Sequence, residues 1–336
     1  MEDRTPNFER FVSLKTIGKE VSLLGSPKLS SSSSSLLQRR VRKRKCTNLS
    51  ISTTKDNSSD EELTPSFDLR QHYDIIKTLG CGTYAQVQLG EDKDTGDQVA
   101  IKRSRGTNSR SLLKNEYEIL NKMSSNKVIK AISYHENESK NESYLIMEYF
   151  EGKSLNEFID QKGVLNEKEN RFIFSQILSA VHTLHELGIA HRDIKPENIL
   201  INEDLKVKLI DFNISKLFKP KSAQDFNPKF KSTFYTQISS PLYAAPELQN
   251  SVGYTESVDI WGLGIVLFTL LCGTLQTQEL SNDVEEKLHN LHSIINLKIE
   301  ESKCNEFLLS LLSEFPEDRP TISQCLSSSW AKEGSS

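Results

Sequence analysis

Residues 191–198 read His191-Arg192-Asp193-Ile194-Lys195-Pro196-Glu197-Asn198, and the pair Asp211-Phe212 follows thirteen residues after Asn198. This stretch combines an acid, a base and a carboxamide, a mixture that is hard to explain as part of a core or as ordinary surface. Pro196 cannot continue a helix, because proline lacks a backbone N–H and its ring clashes with the preceding turn. The stretch therefore predicts a loop that presents polar side chains.

The two segments after this loop have the pattern of a β-hairpin. Residues 199–201 and 207–210 are short apolar runs, and the turn residues Asn202-Glu203-Asp204 lie between them. A loop held before such a hairpin is expected to gather four side chains around one cleft: Asp193, Lys195, Asn198 and Asp211. Phosphoryl transfer requires these groups, namely a carboxylate to orient or deprotonate a hydroxyl, a cation for the moving phosphate, and oxygen ligands for Mg²⁺.

A glycine-rich stretch lies in the first, strand-rich part of the chain. Residues 80–87 read Gly80-Cys81-Gly82-Thr83-Tyr84-Ala85-Gln86-Val87. Glycines allow backbone N–H groups to approach phosphate oxygens where a Cβ would intervene. On its own the stretch would be interpreted as a hairpin turn, but Val99-Ala100-Ile101-Lys102 follows about twenty residues later. In a strand, Ala100 and Lys102 point to one face.

In this order, the motifs resemble those of a eukaryotic protein kinase. Lys195, two residues after Asp193, and Ser240-Pro241 resemble the serine/threonine branch rather than its tyrosine-specific relatives. The resemblance implies an α+β, two-lobed protein-kinase fold: a small β-rich N-lobe with one helix, a larger helical C-lobe, and ATP in the interlobe cleft. It also implies transfer of the ATP γ-phosphate to Ser/Thr hydroxyls of protein substrates.

Composition and this resemblance together predict the domain organisation. The first part contains a serine run and too little apolar surface to offset chain entropy. We expect a disordered regulatory tail at 1–66, a kinase domain at 67–330 and a short tail at 331–336. Within the domain, we expect the N-lobe at about 73–147, the hinge at 148–152 and the C-lobe at 153–330.

The hydrophobic pattern predicts the secondary structure of both lobes. Strands are predicted at 75–79, 87–90, 99–102 and 144–148, and a helix at 111–122 interrupts them. Further helices are predicted at 155–161, 167–187, 257–272, 283–291 and 304–314. The longest apolar run, 260–275, contains three glycines and is too short to span a bilayer, so a buried helix is predicted there.

The resemblance assigns roles to individual residues. Asp193 and Lys195 are the expected catalytic residues, and Asn198 and Asp211 are expected to bind Mg²⁺. The residues expected around the nucleotide are Leu79, Gly80, Cys81, Gly82, Thr83, Tyr84, Ala85, Val87, Ala100, Lys102, Glu116, Met147, Glu148, Phe150 and Leu200. The implied cofactors are ATP and Mg²⁺.

Within this set, Lys102 is expected to reach the α and β phosphates and to pair with Glu116 on the following helix. Glu118 is the alternative partner; Glu116 is favoured because Leu120 then lies one turn later, facing the cleft. By resemblance, residues 147–150 form the interlobe hinge. There, backbone groups of Glu148 and Phe150 are expected to contact adenine.

Two positions depart from the family pattern, and three others resemble its scaffold. Ala85 replaces the third glycine of the phosphate loop, and Asn213 replaces the glycine of Asp-Phe-Gly. Because asparagine tolerates positive φ, Asn213 is expected to preserve the turn. Glu247 is expected to pair with Arg319, and Asp259 to hold the backbone of the catalytic loop, residues 191–198.

The resemblance also implies regulation. Thr236 stands nine residues before Ala245, where the activating phosphosite of the family falls. Arg192 and Lys216 resemble the phosphate pocket of regulated members, and an upstream kinase would then be a partner. In the alternative, Arg192 only binds loop carbonyl groups and Thr236 is an incidental hydroxyl. A pseudokinase scaffold that binds partners through the same fold is the alternative function.

Charge and cysteine usage limit the partners and the compartment. The net charge of −4 argues against a dedicated nucleic-acid binder, and we expect no stable nucleic-acid or membrane binding. Five scattered cysteines without a CxxC pair predict a reducing intracellular compartment, the cytoplasm and/or the nucleus. The basic cluster at 39–45 is interpreted as a nuclear-import signal, a membrane or nucleic-acid contact, or a solvated charge run.

Overall fold

A computed structural model of the protein describes residues 67–82, 85–104, 107–218, 243–248, 255–274, 284–299 and 303–332. All of them belong to one unit, Thr54–Ser336. Several sequence predictions fall outside the described residues: the tail at 1–66 with its basic cluster at 39–45, Thr83, Tyr84, Thr236 and Ser240-Pro241.

The first part of the fold is a five-stranded antiparallel sheet with a long helix. In chain order its elements are α1 (Leu69–His72), β1 (Tyr73–Cys81), β2 (Ala85–Asp92), β3 (Gln98–Ser104), α2 (Thr107–Leu120), β4 (Ala131–Asn137) and β5 (Glu142–Glu148). The strand order is β1-β2-β3-β5-β4, so β4 is an edge strand. The predicted strands and the predicted helix are present, and each is longer than predicted or shifted by a few residues.

The two faces of this sheet separate two apolar clusters. Val99 and Ile101 of β3 pack with α1 in a small outer cluster. Ala100, between them in sequence, belongs to the large cluster on the other face. Since side chains alternate along a strand, Lys102 lies on the same face as Ala100. The period-two prediction for this strand is therefore confirmed.

The second part is mainly helical and, in its described residues, contains five short strands. Its elements are β6 (Lys153–Ser154), α3 (Leu155–Lys162), α4 (Glu167–Glu186), β7 (Ile189–Ala190), β8 (Ile199–Ile201), β9 (Val207–Leu209), β10 (Lys216–Leu217), α5 (Ser257–Cys272), α6 (Val284–Lys298), α7 (Lys303–Leu311), α8 (Ile322–Ser327) and α9 (Ser329–Lys332). Strands β6, β8 and β9 form one sheet, and β7 pairs with β10. The α+β class with a β-rich first lobe and a helical second lobe is confirmed.

Local sequence explains where these helices begin and why α5 is central. A capping box of Ser154 and Glu157 starts α3, and one of Asn166 and Glu169 starts α4. Helix α5 is apolar on every side, so it has no solvent face and almost all of its residues are buried. Within the described residues, no helix has the length and apolar character that crossing a membrane requires.

The sequence did not predict every element. Strand β4 was missed because it is an edge strand with mixed polarity, in which Ile132 is half exposed. Helix α6 continues to Lys298, beyond the predicted end at 291. The two-residue strands β6, β7 and β10 were also missed, because such short pairs depend on a tertiary partner.

Candidate active site

The loop 191–198 is held by a buried carboxylate on α5. Asp259 is fully buried, and its Oδ1 accepts the backbone N–H of Arg192 at 2.7 Å. Its Oδ2 accepts the backbone N–H of His191 at 2.8 Å and contacts Nε2 of His185 at 2.9 Å. Burial alone would raise the pKa of Asp259, but His185 and the other polar neighbours lower it, so the carboxylate is ionised. Three groups therefore converge on one buried charge.

A glycine allows α5 to approach this loop closely. A Cβ added to Gly262 would lie 2.5 Å from the carbonyl oxygen of Ile194, a distance that no side chain tolerates. Arg192 lies in the left-handed region with φ of 72°, which turns the chain between His191 and Asp193. The backbone of the loop thus rests directly on the most buried helix of the fold.

Three predicted residues of the loop lie together. Nζ of Lys195 donates to both carboxylate oxygens of Asp193, at 2.9 and 2.7 Å. Nδ2 of Asn198 donates to Oδ2 and to the backbone oxygen of Asp193, both at 2.8 Å. The side chain of Asp193 is 22% exposed, so a solute in the cleft can reach it. The carboxylate is oriented and accessible.

The lysine of β3 joins the two lobes. Nζ of Lys102 donates to Glu116 of α2 at 2.6 and 2.8 Å, and to Oδ1 of Asp211 at 2.8 Å. Glu118, the alternative partner, is exposed. Burial alone would lower the pKa of Lys102, but Glu116 and Asp211 together raise it well above its usual value, so the ammonium stays charged.

Asp211 begins the segment that faces this lysine. Its φ of 67° places it in the left-handed region, which aspartate tolerates better than most residues. Burial alone would raise the pKa of Asp211, but the charge of Lys102 lowers it. The next residue, Phe212, is fully buried, and its ring lies 4.6 Å from the ring of His191. Its backbone N–H donates to Oε1 of Glu116 at 3.2 Å.

The position of the left-handed residue corrects one prediction. Asn213 was expected to take positive φ, but the left-handed residue of this segment is Asp211, and Asn213 is not among the described residues with positive φ. The backbone N–H of Ser215 donates to the carbonyl of Phe212 at 3.1 Å, which closes a turn around Asn213 and Ile214. The turn therefore makes no demand for glycine at position 213.

Apolar residues of the sheet lie on its inner side, and one apolar residue of the second lobe is half-buried on β8. Ala100 and Met147 are buried there, and Val87 packs against the same cluster. In the second lobe Leu200 is half-buried between the buried Ile199 and Ile201, so its side chain points to the opposite side of β8. These predicted residues can form the two apolar sides of a site for a flat ring.

The glycine-rich stretch forms a turn between β1 and β2. The N–H of Gly82 donates to the carbonyl of Ala85 at 2.9 Å, and a Cβ at Gly80 would meet nothing within 4 Å. Leu79 is 41% exposed and Cys81 is also exposed, so this turn is open to solvent on the described side.

The connection between the lobes begins at the end of β5. The N–H of Glu148 donates to the carbonyl of Lys130 at 3.0 Å, and its carboxylate accepts Nζ of Lys208 at 2.5 Å. Phe150 is half-buried and packs against the large cluster. A Cβ at Gly152 would lie 2.6 Å from the carbonyl oxygen of Ile201, so the connection also packs tightly against β8.

Comparison with known proteins identifies the family. The profile of the protein kinase domain matches residues 73–331. The chain belongs to the protein kinase family. Its resemblance to the serine/threonine branch of the eukaryotic protein kinases is confirmed, and members of this family use ATP and a divalent metal.

The chain is similar to several kinases over most of its length. It is 36% identical over 277 residues to maternal embryonic leucine zipper kinase of Xenopus tropicalis. The aligned region covers 80% of this chain and 40% of that protein. It is 34% identical over 248 residues to SNF1-related protein kinase catalytic subunit alpha KIN12 of Arabidopsis thaliana, 72% of this chain and 48% of that protein. It is 37% identical over 213 residues to NUAK family SNF1-like kinase 1 of Mus musculus. This aligned region covers 62% of this chain and 30% of that protein. The chain thus spans less than half the length of these relatives.

A buried ion pair links Arg319 to Glu247 within the helical lobe of this kinase domain. Nη1 and Nη2 of Arg319 donate to the two carboxylate oxygens of Glu247 at 2.7 and 2.8 Å. Nη1 also donates to the carbonyl of Ser257, at the start of α5, at 3.1 Å. The guanidinium lies 5.2 Å from the ring of Trp261. The structure thus contains the pair that the resemblance implied.

Sequence reasoning missed two residues that hold the kinase site. His185 contacts the carboxylate of Asp259 from α4, 74 residues away in sequence. Lys208 binds Glu148 across 60 residues. A buried histidine at a helix end and a lysine on a strand are both common, and nothing local distinguishes them. Only the three-dimensional partner shows their role.

Substitutions at Asn213 test the sign of φ at this residue, and we expect them to show that φ is not positive. Asn213→Val should be at least as stable as Asn213→Gly, because without a positive φ glycine adds only entropy to the unfolded chain. The matched control is Asn141, which does have positive φ (51°). There, the Val variant should be less stable than the Gly variant by about 1–2 kcal/mol. Denaturant unfolding measures both pairs; greater stability of Asn213→Gly over Asn213→Val would contradict the assignment.

Proposed function

We propose that the chain is a protein serine/threonine kinase that transfers the γ-phosphate of ATP, with Mg²⁺, to Ser/Thr hydroxyls of protein substrates. The observation that carries this proposal is the contact of Lys102 with both Glu116 and Asp211. This contact brings a cation of one lobe to the carboxylate of the other, and Asp211 is also within the electrostatic reach of Lys195, the partner of the accessible Asp193. Such convergence is what phosphoryl transfer requires of a protein, since its catalysis is mainly positioning and electrostatics.

Each residue has a proposed role in this reaction. Asp193 orients the substrate hydroxyl and accepts its proton, and Lys195 neutralises charge on the γ-phosphate. Lys102 positions the α and β phosphates, and Glu116 holds Lys102. Ala100, Val87, Met147 and Leu200 enclose adenine, and backbone groups of Glu148 and Phe150 bind its edge. The turn at Gly80–Gly82 covers the phosphates.

The oxygen atoms of Asn198 and Asp211 fit a hard divalent cation. Nδ2 of Asn198 is engaged with Asp193, so the oxygen of the carboxamide is the atom that a cation would bind. The part of the chain that the structure describes contains no group of three His, Cys, Asp or Glu side chains that could hold a metal. Mg²⁺ suits such a site, because it is usually bound by one or two protein oxygens together with phosphates and water. When bound, it would neutralise charge on the phosphates.

A direct assay tests this proposal. The full chain is incubated with labelled ATP, Mg²⁺ and a generic basic protein, and phosphoserine and phosphothreonine are measured in the acceptor. Chelation of the metal should abolish transfer. A chain that binds ATP but transfers no phosphate would contradict the proposal and favour the pseudokinase alternative. Asn213 does not support that alternative, because the turn does not require glycine at this position. A peptide array would then identify the preferred sequence.

We further propose that phosphorylation of Thr236 by an upstream kinase activates the enzyme. Two basic residues support a phosphate site: the pKa of Lys216 is lowered by burial and by the nearby charge of Arg192. Nη1 of Arg192 donates to the carbonyl of Ile214 at 3.1 Å, a contact with a loop carbonyl that the alternative without a phosphosite also expects. A phosphate carries about −1.5 to −2 charges and would relieve the repulsion between the two cations.

Replacing Thr236 should therefore lower activity. We expect Thr236→Ala to reduce kcat by about tenfold or more, the equivalent of one charge-assisted hydrogen bond. Ser232, Thr233 and Ser239 are the competing sites, and the alanine variant of each is compared with Thr236→Ala. Mass spectrometry of the active enzyme should find phosphate on Thr236. Full activity of Thr236→Ala, or an active preparation with no phosphate between residues 232 and 240, would exclude this switch.

We place the chain in the cytoplasm and/or the nucleus, where thiols stay reduced. Among the described residues, Cys272, Cys304 and Cys325 are buried free thiols, which is consistent with a reducing compartment. Burial raises the pKa of the Cys272 thiol to about 11, so it is not a reactive thiolate.

A further inference from the structure

Asn115, which precedes Glu116 on α2, joins this helix to the segment after Asp211. Its Nδ2 donates to the carbonyl oxygen of Ser215 at 3.2 Å, across 100 residues of sequence. This bond lies beside the one between Oε1 of Glu116 and the N–H of Phe212. The helix and the segment are therefore connected at two neighbouring points, one of which has no role in the pairing of Lys102.

Ser215 is the point where three parts of the site meet. It is 3% exposed, and its carbonyl accepts Nδ2 of Asn115. Its N–H donates to the carbonyl of Phe212 at 3.1 Å. Its Oγ donates to the carbonyl of His191 in the catalytic loop, also at 3.1 Å. Through one buried residue, α2 is thus linked to the turn after Asp211 and to the loop that carries Asp193.

We propose that Asn115 is a positioning residue for phosphoryl transfer. Through Ser215 it fixes α2 relative to the catalytic loop, and thereby fixes Glu116 and Lys102 relative to Asp193. This inference rests on the proposed kinase function. Without the bond, the contact between Lys102 and Glu116 persists, but the helix that holds it is free to shift. Because small displacements of positioned groups slow a reaction strongly, turnover falls while the fold is retained.

The first experiment separates positioning from stability. In the full chain, Asn115→Ala should lower kcat by about 3- to 10-fold, the loss expected for one hydrogen bond of ordinary net strength. KM for ATP should change by less than about twofold, because the contacts of the base are untouched. The melting temperature should fall only slightly, because the higher helix propensity of alanine offsets part of the cost of leaving the buried carbonyl of Ser215 without its donor. The matched control is Glu118→Ala, an exposed position on the same helix, which should behave as wild type.

A double-mutant cycle then tests whether Asn115 acts through Glu116. In the Glu116→Ala background, Asn115→Ala should change the single-turnover rate by less than about twofold, because the helix no longer holds Lys102. Should the alanine variant melt without cooperativity, Asn115→Ser enters the same cycle, since its side chain is too short to reach Ser215. A wild-type kcat in Asn115→Ala, or an equal loss with and without Glu116, would overturn the inference. Absence of transfer in the wild-type chain would instead overturn the proposed function.

Discussion

Asp193→Asn should lower the turnover of ATP with a protein acceptor by about 10²–10⁴-fold while the protein stays folded. The substitution keeps the shape of the side chain and, when Oδ2 is the amide oxygen, its contacts with Lys195 and Asn198, but it removes the negative charge. The amide oxygen can still accept a hydrogen bond from the substrate hydroxyl, but it cannot take up the proton. The loss should therefore appear in kcat, with a small change in KM for ATP.

A matched control isolates the chemical effect. Asp204→Asn makes the same substitution in the turn of the following hairpin, where Asp204 is exposed and lies 3.6 Å from Lys206. This variant should retain wild-type activity. Unfolding curves of both variants should match that of the wild type. If Asp193→Asn transferred phosphate at a rate near that of the wild type, the proposed role of the catalytic loop would be wrong.

Arg319→Ala should destabilise the protein by about 3–5 kcal/mol, the effect of breaking a buried ion pair on one side only. The guanidinium of Arg319 is buried and neutralises Glu247 through two parallel hydrogen bonds. Its removal leaves the carboxylate of Glu247 buried without its cation. It also removes the donor to the carbonyl of Ser257. Denaturant unfolding of the full chain measures the loss.

The control for this prediction is an exposed ion pair of the same lobe. Lys162 and Glu203 are 2.7 Å apart, but their side chains are 49% and 67% exposed. Lys162→Ala should change the free energy of unfolding by less than about 1 kcal/mol, because exposed pairs are well solvated when broken. If Arg319→Ala and Lys162→Ala lowered the free energy of unfolding by similar amounts, burial of the Arg319–Glu247 pair would not increase its contribution to stability.

Local sequence was enough to predict the chemistry-bearing parts of the fold. The hairpin after Asn198 pairs residues 199–201 with 207–209, as the apolar runs and turn residues predicted. The alternation of β3 correctly placed Ala100 and Lys102 on one face. In both cases the decisive information lies within about ten neighbouring residues. Such short-range patterns act directly on the backbone, so they can be interpreted without knowing the rest of the structure.

Contacts between distant residues could not be predicted in this way. The resemblance implied that Asp259 holds the loop, but it did not indicate that His185 shares the carboxylate. Nothing near Asn115 indicates that its partner is the carbonyl of Ser215. At Asn213 the sequence showed which residue tolerates positive φ, but not that Asp211 adopts it instead. Whether a residue tolerates positive φ depends on that residue alone. Which of several neighbouring residues adopts positive φ depends on the packing around them.

The burial of Asp259 has a consequence for how the two sides of the cleft can fluctuate. To release the N–H groups of His191 and Arg192, the protein must expose an ionised carboxylate that lies within its most apolar helix. Local opening at that point is therefore about as costly as global unfolding. Helix α2 and the residues after Asp211 are joined by two hydrogen bonds, whereas Asp259 receives three, so we expect them to belong to a unit of lower opening free energy. A signal that alters activity would act on this second unit and leave the proton acceptor in place.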